Sequence, residues 1–187
     1  MYKYTCVIVS VLLTFLLLAS CNKITVPEES KHNVSNEITE TNESTAFVIT
    51  WDEITEDGVN EELLIKNINE EELKSIAHKL KTVTDMIIAK GDADKLYWQT
   101  ANWYADAKES NEFKEVVSMG QSAVKPLYLI IYKSESQGLY EYICAMALDE
   151  VLGEGFFNDN SKMDWATSKE LIKIINEKVL KDRQDNQ

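Results

Sequence analysis

The chain is short of cysteine, histidine and basic charge. It has 3 Cys and 2 His in 187 residues, and 19 Lys and Arg against 32 Asp and Glu. Three cysteines cannot build a disulfide scaffold, and a structural zinc site would take nearly every Cys and His in the chain. A net charge of −13 and a pI near 4.6 argue against a nucleic-acid binder, because phosphate contacts need clustered Lys and Arg. Gly-rich phosphate loops, Gly-x-Ser-x-Gly and His-Glu-x-x-His are also missing. The length suits one domain with a modest core.

No charged residue occurs between Lys3 and Lys23, and Cys6 to Ala19 is almost wholly apolar. That run is short for a bilayer span of roughly 20 residues but suits the h-region of a signal peptide. It ends in Leu18-Ala19-Ser20-Cys21. These four residues resemble the lipobox of bacterial lipoproteins, in which the cysteine receives a diacylglyceryl thioether and becomes the first residue of the mature protein. The resemblance implies lipidation at Cys21, a membrane partner through that lipid, and a place on the extracytoplasmic face of the cell membrane. Two acyl chains bury enough methylenes for stable anchoring. Removal of residues 1–20 takes away Lys3 and no acid, which makes the net charge −14. Cys6 leaves with the signal and Cys21 is blocked, so Cys144 becomes the one free thiol.

Residues 21–45 read as the lipidated cysteine and a flexible tether, rich in Ser, Thr, Asn and Glu and free of aromatics. Such a segment buries too little apolar area to offset the entropy of ordering it. Residues 46–68 combine a β-prone run, Ala46 to Trp51, with an Asp57-Gly58 turn signal. An extended arm lying on a helical body is expected here, with a small hairpin as the alternative.

From Asn69 the pattern is helical. Asn69 with Glu72 resembles a capping box, and Leu73, Ile76, Leu80, Val83 and Ile87 recur at helical spacing. Lys90-Gly91 reads as its stop. Asp92 is expected to cap a second helix carrying Leu96, Tyr97, Ala101 and Tyr104 on one side. Ser110 or Asn111 caps a third, with Phe113, Val116 and Val117 inward. A fourth follows Gly120 with Pro126 in its first turn. Leu139 to Leu152 is apolar on nearly every side and should be central. A last helix follows Asp164 or Thr167, with a polar tail from Lys181 that frays. The sum for 69–187 is an all-α domain of five or six helices.

Residues 112–153 resemble HEAT-type helical repeats: a helix ending at Gly120, the start Ala123-Val124-Lys125-Pro126-Leu127, and Ala145-Met146-Ala147-Leu148 before Gly153. No second copy at a period near 40 residues is evident, so the resemblance implies a compact HEAT-like bundle and not a solenoid. The whole layout resembles uncharacterised lipoproteins of low-GC bacteria.

The search for chemistry gives little. His78 has no visible catalytic partner. Cys144 sits among apolar neighbours that predict burial. The acidic loops at 53–64 and 158–162 lack calcium-ligand spacing, Leu64 standing where the bidentate acid belongs. No catalytic residue, metal ligand or cofactor is therefore expected, and the chain reads as a non-enzyme. Aromatic clusters are the remaining lead, with Trp98, Trp103, Phe157 and Trp165 as a candidate binding surface. The expected role is a lipid-anchored module that binds another envelope protein. The alternative is a lipoprotein that uses these aromatics for a small molecule or glycan.

Overall fold

Three N-caps set where the helices begin. Asn69 Oδ1 accepts from the amides of Glu71 and Glu72, Ser110 Oγ from Phe113, and Thr167 Oγ1 from Glu170. Each satisfies first-turn donors that have no partner inside a helix. At Thr167 the box is complete, since the Glu170 side chain accepts the Thr167 amide in return. The computed structural model describes residues 49–100, 102–157 and 165–186. The lipobox 18–21, with Cys21, and the tether to residue 45 lie outside the described residues.

Among the described residues the elements run β1 (Ile54–Thr55), β2 (Gly58–Val59), α1 (Glu61–Lys66), α2 (Glu70–Ala93), α3 (Asn102–Glu109), α4 (Asn111–Ser118), α5 (Gln121–Lys133), α6 (Leu139–Phe157) and α7 (Ser168–Asp185). The domain is an all-α bundle with one token hairpin. The apolar residues Ile143 to Leu148 of α6 are all buried. This helix packs against α2, α4, α5 and α7, as expected of a helix without a polar face. The HEAT-like pattern falls on α4, α5 and α6. At Gly153 the backbone leaves helical geometry, with φ 62° and ψ −172°. That φ is costly for any residue with a Cβ, so this glycine breaks the helix where the sequence places its end.

Burial pushes the Cys144 thiol up to about 12, far above its ordinary 9.0. Such a thiol is inert. With residues 1–20 removed and Cys21 replaced by serine, native protein at pH 8 should not react with a thiol-specific disulfide reagent, whereas denatured protein should titrate Cys144 fully; fast labelling of the native state would contradict this burial.

Several expectations are corrected. Residues 51–67 are not an extended arm. Antiparallel β1 and β2 pair Ile54 with Val59 and Thr55 with Gly58, and Asn60 then caps α1. Trp51, Ile54 and Leu64 supply the burial that fixes this segment to the body. The chain thus has seven helices among the described residues, with α1 the unforeseen one. Gly91 does not end the first long helix, which continues to Ala93. Asp92 therefore lies inside α2 and caps nothing; Asp94 instead caps a turn by accepting the Leu96 amide at 2.9 Å. Leu96 is 62% exposed and lies between helices, because α2 ends at Ala93 and α3 starts only at Asn102. Pro126 sits in the second turn of α5, since that helix begins directly after Gly120. The C-terminal tail stays helical to Asp185. Its Arg183 guanidinium donates to the carbonyls of Trp51 and Ile54, a charged anchor that a local reading of a polar tail does not contain.

Candidate functional site

Of the four aromatics that the sequence groups together, Trp98 stands apart. It is 43% exposed, whereas Phe157 and Trp165 are each 5% exposed and Trp103 is half-buried. Trp103 and Trp165 meet through Tyr142, whose ring lies 5.6 Å from the first and 5.0 Å from the second. Phe157 packs edge-on against Phe156 at 4.9 Å. Phe157 and Trp165 belong to the core and Trp103 packs partly buried against it. That burial removes Phe157 and Trp165 from any open surface and leaves Trp103 half-covered.

Trp98 is held differently. Its indole lies over Gly91 of α2, so close that a Cβ built on the glycine would overlap the indole. Tyr97 packs edge-on against the same ring at 5.7 Å. Tyr97 is fixed in turn by donating its hydroxyl to Asp106 Oδ2 at 2.7 Å, and Lys90 donates to the same oxygen at 2.8 Å. Ile88, one turn before Gly91 on the same face of α2, is 43% exposed. Trp98, Ile88 and the neighbouring Leu96 are thus large apolar side chains presented to solvent on a braced support. Sequence reasoning missed Ile88 and Leu96 because the first sits beside a buried stripe and the second matches a helix that does not form. A Gly91→Ala variant should expel the indole, seen as greater quenching of tryptophan by acrylamide. Its stability should change little, because alanine brings about 1 kcal/mol of helix propensity against the lost packing.

A second locus is polar. A cleft of about 340 Å³ is lined by Ile49, Thr50, Asn67, Ile68, Asn69, Glu72 and the α5 residues Gln121, Ser122, Lys125 and Pro126. Beside it, the fully buried Glu53 accepts at Oε1 from Lys125 Nζ at 2.5 Å and Asn67 Nδ2 at 3.1 Å. Its Oε2 is buried with no hydrogen-bond partner among the described residues. Burial pushes the Glu53 carboxyl up, but the hydrogen bonds from Lys125 and Asn67 and from its own main chain outweigh that and hold it below 4.5.

His78 is exposed on α2. Among the described residues, no group of three or more His, Cys, Asp or Glu could hold a metal ion, and no helix is long and apolar enough to cross a membrane. Many surface acids are tied up, as in Glu115 with Lys79, Glu150 with Lys108 at 2.7 Å and Glu61 with Lys133 at 2.8 Å. No family model matches the chain, and neither does any curated protein or solved structure.

Proposed function

We propose that this protein is a lipoprotein, held by lipid on Cys21 at the extracytoplasmic face of a membrane, whose helical domain binds another envelope protein without performing chemistry. The lipobox sequence supports the anchor. The observation that carries the binding role is the braced exposure of Trp98, flanked by Ile88 and Leu96. Binding energy at protein interfaces concentrates in a few aromatic anchors, and a side chain already held in one orientation loses little entropy on docking.

The test places a photoreactive residue at Lys95, beside Trp98, in the anchored protein in intact cells, with position 173 on α7 as control. A discrete protein adduct is expected at position 95, falling about tenfold in a Trp98→Ala background. An adduct pattern shared with position 173, or indifferent to Trp98→Ala, would overturn the reading. Saturable quenching of Trp98 by wall glycan, with no protein adduct, would favour the glycan alternative. For the anchor, Cys21→Ser should move the protein from the membrane fraction to the soluble one; unchanged sedimentation counts against lipidation.

A further inference from the structure

The polar cleft has a chemistry of its own, independent of the surface around Trp98. Its volume of about 340 Å³ falls at the lower end of the range for small-ligand sites, about 300–1,000 Å³. No aromatic side chain lines it, so it lacks the flat face on which a sugar ring stacks. It does carry one charge of each sign. Lys125 and Glu72 both line it, and they form no ion pair with each other.

The lysine is fixed in place. Glu53, itself buried, takes one of its three donors, and the other two have no hydrogen-bond partner among the described residues. Glu72 has no ion-pair partner among the described residues, because Lys74 turns to Glu70 and Glu71. Asn69 commits its oxygen to the start of α2, which leaves its amide nitrogen free to donate. The apolar part of the wall is small: Ile49, Ile68 and Pro126.

The geometry points to a site for a small zwitterion, an α-amino acid with a short aliphatic side chain. The carboxylate meets Lys125 and the Asn69 amide, the ammonium meets Glu72, and the side chain rests on Ile68 and Pro126. Overall charge selects the same class. A chain with a net charge of −13 repels a free anion, whereas a net-neutral ligand brings its carboxylate in without that penalty.

The test is amide chemical-shift titration of the folded protein with L-alanine, N-acetyl-L-alanine and L-alaninamide. Alanine should give saturable shifts at Asn69, Ser122 and Lys125 with millimolar affinity, and each blocked compound should bind at least tenfold more weakly. Glu72→Gln should weaken alanine at least tenfold and leave N-acetyl-L-alanine unchanged. Ser122→Trp, which fills the cleft from an exposed position of α5, should abolish the alanine shifts. Both variants keep Lys125, whose removal threatens the fold itself. Absence of saturable shifts, or equal binding of alanine and N-acetyl-L-alanine, would overturn the assignment. A free amino acid and the carboxyl end of a peptide share the carboxylate, and the N-acetyl arm separates them.

Discussion

Replacing Lys125 by methionine is expected to cost the fold about 3–5 kcal/mol at neutral pH, because it strands the Glu53 carboxylate in the interior without its counter-charge. Glu53 is fully buried and already carries one oxygen with no partner among the described residues. With Lys125 gone, Asn67 alone among the described residues would still donate to it from another side chain. A Glu53→Gln, Lys125→Met double variant should recover much of the loss, since an uncharged amide is far easier to bury than an unpaired carboxylate. The pH dependence gives an independent check. In the native protein the Glu53 carboxyl is held below 4.5, so its stabilising contribution is complete above that value and is lost as pH falls through the lower, folded-state value. In Lys125→Met, burial dominates and raises the carboxyl instead, so that variant gains relative stability as acid protonates Glu53. The gap between the two proteins should therefore narrow as pH drops from 7 toward 4. Denaturant melts across that range decide it, and a constant or widening gap would mean that the pair is not what holds the hairpin to α5.

Phe113→Ala should be the other severe substitution, at about 3–5 kcal/mol. Phe113 is 2% exposed on α4, and α4 packs against both α2 and α6. The α2 and α6 faces beneath it are held by their own helices and cannot collapse far into the vacated space. The cost thus combines lost burial with the cavity left behind. Calorimetry should show a fall in Tm of roughly 10 °C or more for a fold of this size. A fall of only one or two degrees would show that the neighbouring helices close the gap.

The parts of this fold that were legible in the sequence are those decided within one turn of helix. Asn69, Ser110 and Thr167 cap because their oxygens reach amides two or three residues on, and a local reading places each of them among its candidates, although it passes over Asn60, which caps α1 in the same way. The apolar run of α6 announces its own central place, and Gly153 its own break. What local pattern does not contain is a partner distant along the chain. Lys125 and Glu53 are 72 residues apart, and Arg183 reaches carbonyls about 130 residues away. Gly91 shows the same limit in another form. A glycine near the end of a helical pattern looks like a stop, but here it is the clearance for the Trp98 indole. The aromatics divide for a similar reason: composition marks Trp98, Trp103, Phe157 and Trp165 as alike, and only packing separates an exposed ring from three that face the core.

The Arg183 contact has a consequence for how the domain can be rebuilt. Its guanidinium grips the carbonyls of Trp51 and Ile54, so the first and last elements of the described fold are fastened to one another. A break opened elsewhere, for instance in the exposed connection at 134–138, with the old ends joined by a short linker, would preserve that closure. Trimming α7 before Arg183 would instead loosen Trp51 at the opposite end of the described fold. The two ends of the described fold thus meet, and a side chain of the last helix helps to hold them there.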